Sequence, residues 1–181
     1  MEKKALEKDN LLLEIADLSV EYTVNKSTVK AVNNLSLEVG HGECVGLVGE
    51  TGAGKTTTAL AVMRLVPNPP GKIVSGSIKF EGEDLLGVSE KKMRSIRGSS
   101  ISMIFQDPMT SLNPILRVGD QIMETILLHE KISKKDATVK AQKMLEMVGI
   151  PAERYDEYPH QFSGGMKQRV MIACALVCNP K

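Results

Sequence analysis

The chain has 181 residues, 42% of them hydrophobic, which is enough for a domain with a substantial core. Its formal net charge is +1, from 23 basic and 22 acidic residues, and it contains no tryptophan. This balance disfavours a nucleic-acid surface, which needs a basic excess, and the scarcity of aromatic residues disfavours a stacking platform for single-stranded bases.

No apolar run approaches the roughly 20 residues that a membrane-spanning helix needs, and the polar N-terminus lacks the apolar core of a secretory signal. We therefore expect a cytosolic protein. Three cysteines, Cys44, Cys174 and Cys178, fit a reducing compartment. Cys174 and Cys178 are four residues apart on a predicted helix, but no histidine lies nearby in sequence, so we interpret them as core residues rather than zinc ligands.

The first part of the chain favours strands. Residues 1–10 are charged and predicted to be loose. Apolar alternation predicts strands over residues 11–24, 28–39 and 75–85. Two short apolar runs, CVGLVG (44–49) and SSISMIF (99–105), are typical of strands that are buried on both faces.

Helical spacing first appears at residues 54–66 and dominates the last third of the chain. Helices are predicted over residues 54–66, 116–130, 134–149 and 163–178. The first would bury Ala59, Val62, Met63 and Val66 on one side. Gly149 and Pro151 are typical of the end of a helix. The pattern indicates an α/β plan with a helical insertion or second lobe.

The segment GETGAGKTT lies between an apolar run and a predicted helix, and it matches the pattern G-x-x-x-x-G-K-[ST]. Gly49, Gly52 and Gly54 let the backbone bring N–H groups close to phosphate oxygens, and the helix directs its positive dipole end at the anion. Lys55 supplies a charge for the β- and γ-phosphates, and the Thr56 hydroxyl suits Mg²⁺. The alternative is a glycine-rich turn with an incidental lysine.

A second helix start near the C-terminus, FSGGMKQRV, is also suited to anions. Ser163 is a good N-cap, and Gly164 and Gly165 remove side chains from the first turn. The alternative is a plain capped helix whose glycines permit tight packing. Since one nucleotide needs only one such site, a dimer would resolve the duplication, with each nucleotide between one chain's Lys55 loop and the other chain's Ser163 helix.

These motifs resemble those of ABC-type ATPases. GETGAGKTT resembles the Walker A loop, FSGGMKQRV the LSGGQ signature, and SMIFQDP the strand and Q-loop, with Gln106 as the glutamine. Their order and spacing fit, and the resemblance covers nearly the whole chain from about residue 11. FQDPMTSLNP and FSGGM are similar to ATP-binding subunits of bacterial oligopeptide and dipeptide importers, in which Phe and Met commonly stand where other members have Leu and Gln, so Phe162 and Met166 are mild departures.

The resemblance implies a P-loop NTPase (RecA-like) core with an antiparallel β-subdomain and a helical signature subdomain. The implied divisions are a disordered N-terminus (1–10), the ATP-binding core with its β-subdomain (11–107), the helical subdomain (108–162) and the signature helix (163–181). In this family the Walker B Asp and Glu and the switch His would follow Lys181. The resemblance therefore predicts that the C-terminal part of the core is absent and that this chain alone hydrolyses ATP poorly.

The resemblance also assigns roles to residues. The ATP-binding residues would be Gly49, Glu50, Thr51, Gly52, Ala53, Gly54, Lys55, Thr56 and Thr57, joined in trans by Ser163, Gly164, Gly165 and Met166 of a second chain. Tyr22 would stack on adenine, although a half-buried strand tyrosine is the alternative. Thr56 and Gln106 would hold Mg²⁺, although Gln106 could be an ordinary loop residue. We interpret His160 as structural.

The implied partners are transmembrane permease subunits docked on residues 108–160, a second ATPase subunit in a head-to-tail dimer, and a separate solute-binding protein. The protein would lie on the inner face of the cell membrane and bind no nucleic acid. Three alternatives stay open: a soluble ABC ATPase not linked to transport, a non-catalytic nucleotide-binding fragment or regulator, and another P-loop protein. A GTPase is disfavoured because NKST at residues 25–28 lacks the base-reading Asp and precedes the loop.

Overall fold

The computed structural model describes residues 10–106 and 111–181, which divide into two compact units, Met1–Met93 and Arg94–Lys181. Residues 1–9 of the predicted loose N-terminus, and residues 107–110 beside Gln106, lie outside the described residues. The domain divisions given above stay a prediction. Within the described part, no helix is both long enough and apolar enough to span a bilayer.

The first unit contains an antiparallel sheet of four strands, ordered β2-β1-β3-β4. The strands are β1 (Leu11–Val24), β2 (Ser27–Gly40), β3 (Gly71–Phe80) and β4 (Glu83–Asp84). The strands predicted over 11–24 and 28–39 are confirmed. Between them, Asn25 and Lys26 both have positive φ (49° and 66°), the two-residue turn whose twist matches a hairpin.

One face of this sheet forms the core of the first unit. Ile15, Leu18 and Val20 of β1 are at most 2% exposed, and Ile78 and Phe80 of the neighbouring β3 are also buried. A register irregularity between Ile15 and Leu18 lets these residues, three apart in β1, both be buried, and Val20 follows on the same face as Leu18. Each fully buried aliphatic side chain of this kind contributes roughly 1.5–3 kcal/mol.

The helix that follows the glycine-rich loop, α1 (Lys55–Val62), is shorter than predicted. The chain turns after Val62, where Arg64 adopts φ 50° and donates from Nη1 to the carbonyls of Leu85 and Val88. The predicted buried face is also partly wrong, because Ala59 is exposed. Val62 and Met63 are buried as predicted and Val66 is partly buried, whereas Thr58 and Ala61 are buried in addition. A second helix, α2 (Glu90–Ile96), was not predicted by the apolar pattern.

The two predicted buried strands, 44–49 and 99–105, are wrong. The first has no strand structure, and Val48 is 94% exposed. In the second, Ile104 is 51% exposed, and the backbone contacts of the run include an isolated bridge from Arg97 to Ile101 and a bond from Lys181 N to Ser100 O at 3.0 Å, which do not amount to a strand ladder. A strand needs a hydrogen-bonded neighbour, and no strand of the described residues pairs with either run.

The second unit is helical, and its three predicted helices are confirmed. They are α3 (Val118–His129), α4 (Lys134–Met147) and α5 (Gly164–Leu176), with 3₁₀ segments at Ala152–Asp156 and Pro159–Gln161. Ser133 caps α4 by accepting from Asp136 N at 3.2 Å. At the other end of α4, Arg169 Nη1 donates to the carbonyls of Val148 (3.3 Å) and Gly149 (2.7 Å).

The core of the second unit joins these helices into one hydrophobic cluster. Its fully buried residues include Val118, Ile122 and Ile126 of α3 and Leu145 of α4. Tyr155 closes one side of this cluster. Tyr155 belongs to the 3₁₀ segment Ala152–Asp156, and its ring packs on Gly119 of α3, so this segment is held against α3.

Gly119→Ala is expected to destabilise this unit. A Cβ at Gly119 would overlap the ring of Tyr155, which packs directly on the glycine backbone. Overpacking of this kind costs about 1–3 kcal/mol, to be measured by urea unfolding. Gly164→Ala is the matched control, because no atom lies within 4 Å of its added Cβ. Equal stabilities for the two variants would contradict the packing of Tyr155 described here.

Candidate functional site

The loop before α1 is a tight backbone structure that requires glycine. Ala53 N donates to Glu50 O at 3.1 Å, and Gly52 and Gly54 have φ of 86° and 81°. A Cβ on Gly54 would also overlap the backbone carbonyl of Ala31 in β2. Both the conformation and the close approach exclude larger residues at Gly54, so the motif glycine fixes the loop against the sheet.

Lys55 is the first residue of α1, and its side chain turns back into this loop. Its Nζ donates to Gly49 O at 2.5 Å and to Glu50 O at 2.6 Å. The ammonium therefore lies where the backbone curves, held by the carbonyls at the start of the loop. A positive charge is thus fixed within the glycine-rich turn.

The N-terminus of α1 is free of acidic residues in its first turn, so no negative side chain of that turn offsets the positive dipole end. Thr56 is exposed, whereas Thr58 is buried and its Oγ1 donates to Gly54 O at 3.0 Å. Thr58 is therefore structural, and Thr56 presents its hydroxyl to solvent. A loop with a fixed ammonium, positive-φ glycines and an exposed hydroxyl has the donor set that a phosphate-bearing ligand with a hard cation requires.

Tyr22 lies in β1, opposite Val29 of β2 and Gly71 of β3, and is half-buried. Its ring packs against Gly71 so closely that a Cβ there would come within 2.8 Å of Tyr22 Cε1. This is the environment of a half-buried strand tyrosine, the alternative considered for it. The adenine-stacking role of Tyr22 stays a prediction.

Gln106 is exposed and ends the described part of the second apolar run, directly before the residues outside the structure. It belongs to the second unit and Thr56 to the first, and the shared Mg²⁺ site stays a prediction. Among residues 10–106 and 111–181, no group of three or more His, Cys, Asp or Glu could hold a metal ion. The Thr56 hydroxyl and the Gln106 amide do not form such a group. If they bind Mg²⁺, the remaining oxygen ligands must come from the nucleotide phosphates or from water.

The second helix start is capped and open. Ser163 Oγ accepts a hydrogen bond from Met166 N at 3.4 Å, as expected of an N-cap. Gly164 and Gly165 are exposed, and no heavy atom lies within 4 Å of a Cβ added to either. Packing within the described residues therefore does not require glycine here. That finding disfavours the tight-packing alternative and leaves a smooth, exposed helix N-terminus.

Arg154 is a residue near this helix start that the sequence analysis missed. Its guanidinium lies 4.5 Å from the ring centroid of Phe162, which is 5% exposed. It also pairs with Glu157. The spacing of Arg154 and Glu157, three residues apart, is visible in the sequence. The contact of Arg154 with Phe162 is not, because it depends on how the intervening 3₁₀ segments fold the chain.

Cys174 of α5 and Cys178, two residues beyond its end, both pack against the core of the second unit. Burial raises the pKa of Cys174 from 9.0 to about 12, and burial is also the main cause of the raised pKa of Cys178. Cys178 Sγ donates to Thr125 O at 3.7 Å. Cys44 is exposed. The thiols of Cys174 and Cys178 are therefore neutral at physiological pH.

We expect a thiol reagent to modify Cys44 rapidly and Cys174 very slowly at pH 8. Since the pKa of Cys174 is raised, its thiolate stays scarce above pH 9, and its labelling rate rises only as the pH approaches 12. Absorbance of the released thiolate from Ellman's reagent measures both rates. Cys44→Ser should remove the fast phase, and a fast phase that persists in this variant would contradict the assignment.

Solved structures that are similar to this chain include ATP-binding cassettes. A dimeric cassette in a post-hydrolysis state bound to ADP and Pi superposes with a TM-score of 0.82 at 24% identity, covering 93% of this chain and 70% of the other. Structure cbiO1 from Clostridium perfringens, part of an ABC transporter complex, gives 0.73 at 26% identity, covering 95% and 63%. The α/β fold class, a P-loop core with an antiparallel β-subdomain and a helical subdomain, is confirmed.

Sequence comparison agrees, since the pattern of the ABC transporter family matches residues 32–181. The chain belongs to the ABC transporter family. It is 50% identical to the oligopeptide transport ATP-binding protein OppD of Bacillus subtilis (strain 168), over 94% of this chain and 48% of OppD. It is 48% identical to OppD of Salmonella typhimurium (strain LT2), over 95% and 51%. The chain thus spans about half the length of the curated relatives that it matches.

Proposed function

We propose that this chain is the nucleotide-binding part of the ATP-binding subunit of an importer for peptides or a related small solute. The observation that carries the proposal is Lys55, whose ammonium lies inside a glycine-rich loop at the acid-free start of α1. The names of the relatives, which are oligopeptide and dipeptide transport ATP-binding proteins, support the importer class.

In this proposal the loop binds the phosphates of Mg-ATP. Backbone N–H groups of residues 49–57 and the Lys55 ammonium neutralise the phosphate oxygens, and the exposed Thr56 hydroxyl, with Gln106, supplies oxygen ligands toward Mg²⁺. The ion would supply charge neutralisation on the terminal phosphates. Tyr22 would face the adenine. The chain's own residues bind and orient the nucleotide.

We further propose that two ATPase subunits pair head to tail on the nucleotide. Ser163, Gly164, Gly165 and Met166 of one subunit would then approach the phosphates held by Lys55 of the other. The exposed and unobstructed start of α5 supports this arrangement, because an anion could reach its N–H groups directly. The other partners would be transmembrane permease subunits, on which the subunit would dock at the inner face of the membrane, and a separate solute-binding protein.

The experiment that tests the nucleotide proposal is competition against a fluorescent ATP analogue, with and without Mg²⁺. If the loop reads phosphates, ATP should displace the analogue far better than AMP, and adenosine should fail. Mg²⁺ should strengthen the binding of ATP and leave that of AMP nearly unchanged. Equal displacement by ATP and adenosine would contradict a phosphate-binding role for the loop.

A further inference from the structure

The side chain of Arg154 is anchored before it reaches the start of α5. Its Nε donates to Glu157 Oε2 at 2.8 Å, and its Nη2 lies 2.5 Å from the same oxygen. Both side chains are about 30% exposed or less. Two nitrogens of one guanidinium on a single carboxylate oxygen fix the plane of the group, which a flexible lysine could not do.

From this anchor, Arg154 holds the two residues that precede Ser163. Nη2 donates to the backbone carbonyl of Gln161 at 3.1 Å. The guanidinium also lies over the buried ring of Phe162, 4.5 Å from its centroid, within the range of a cation–π interaction. The chain that enters the helix is therefore fixed both at its backbone and at its side chain.

The same group also reaches the first turn of α5, beyond Ser163. Arg154 Nη1 contacts Met166 Sδ at 3.2 Å, and Met166 N is the donor that Ser163 Oγ caps. One side chain thus contacts residues on both sides of the N-cap. Phe162 and Met166, the two departures from the commoner Leu and Gln of the signature, both contact this single arginine.

We propose that Arg154 is a positioning residue for the second anion site, acting as one unit with Phe162 and Met166 to hold the exposed amides at the start of α5 in place. The inference rests on the proposed function of that helix start as a phosphate-facing surface. The contacts of the Arg154 guanidinium on both sides of Ser163 lie within this chain and do not depend on that proposed function.

Arg169 provides a matched comparison for Arg154. It belongs to the same unit and likewise donates to two backbone carbonyls, those of Val148 and Gly149. Its contacts join α5 to the end of α4, away from the start of α5. If Arg154 contributed only to general stability, substitution of either arginine would have similar consequences at Ser163.

The first measurement is hydrogen exchange of the peptide covering residues 161–167, by mass spectrometry, in Arg154→Met and Arg169→Met. We expect Arg154→Met to speed exchange in this peptide about fivefold, because the local opening free energy falls when the charged hydrogen bonds are lost. Arg169→Met should leave the exchange rate of this peptide within twofold of the wild-type rate, while it speeds exchange at the end of α4. Arg154→Lys should give an intermediate rate, since it keeps the charge but not the fork.

The second measurement is a double-mutant cycle with the same exchange rate as its readout. It tests whether the side chains of Arg154, Phe162 and Met166 act together. Phe162→Leu and Met166→Gln restore the commoner signature residues. If the three side chains act together, each of these changes should alter exchange much less in the Arg154→Met background than in the wild type. Combined with Arg169→Met, the same changes should remain additive.

The functional arm is Mg-ATP-dependent pairing of two copies of the full-length protein, measured by sedimentation. Arg154→Met should weaken pairing about tenfold while leaving nucleotide affinity of the Lys55 loop unchanged. Equal effects of Arg154→Met and Arg169→Met, in exchange or in pairing, would overturn the positioning role. If the wild type binds no Mg-ATP, the proposed function fails, and the exchange data alone decide the role of Arg154.

Discussion

Lys55→Met is expected to weaken Mg-ATP binding by roughly 30-fold, about 2 kcal/mol, the usual contribution of a charged hydrogen bond to a buried or partly buried anion. Methionine keeps the length of the side chain and removes its charge. Only the ammonium held against Gly49 and Glu50 is lost, so the loop backbone should remain folded. Calorimetric titration with ATP, ADP and AMP measures the effect.

Two controls separate this charge effect from a general one. Lys72→Met removes an exposed lysine of β3 in the same unit and should leave affinity unchanged. The loss caused by Lys55→Met should be larger for ATP than for AMP, because the ammonium faces the terminal phosphates in the proposal. Wild-type affinity in Lys55→Met would show that the loop is not the nucleotide site.

Gly165→Ala is expected to make the chain more stable and less able to pair. An exposed helical glycine costs about 0.5–1 kcal/mol relative to alanine, and the added Cβ meets nothing within 4 Å. Stability should therefore rise in urea unfolding. If a nucleotide held by a second subunit approaches this turn, the methyl group should obstruct it and weaken Mg-ATP-dependent pairing about tenfold or more.

The opposite responses of stability and pairing make this substitution informative. Lys143→Ala, at an exposed position of α4, is the control and should alter neither measurement strongly. A drop in stability with Gly165→Ala would mean that the first turn of α5 has a neighbour within the fold. Unchanged pairing would mean that the glycine pair does not form the contact between subunits.

Those parts of the fold whose determinants are local could be predicted from the sequence. The β1–β2 hairpin follows from apolar alternation on both sides of Asn25 and Lys26. Helices α3, α4 and α5 follow from apolar spacing and capping residues such as Ser133 and Ser163. The glycine-rich loop follows from its motif, because few other sequences meet the same conformational demands.

The parts that could not be predicted depend on neighbours distant in sequence. The apolar composition of residues 44–49 and 99–105 fits a strand, but composition does not reveal whether a partner strand is present. Helix α2 has seven residues, and only Met93 and Ile96 of them are buried apolar side chains, too few to show a helical period in the sequence. Arg154 reaches Phe162 and Met166 only because two 3₁₀ segments fold the chain back, and no periodic pattern encodes that return.

The side chain of Lys55 turns into the loop, so the loop's own carbonyls compete with a phosphate for its ammonium. Its ammonium is already bound to the carbonyls of Gly49 and Glu50, so an incoming phosphate must exchange with these oxygens rather than simply join a free charge. Binding is then a replacement reaction, and the observed affinity is the difference between two sets of hydrogen bonds. Lower affinity is the consequence, together with an advantage: the two carbonyls keep the cation in place between ligands.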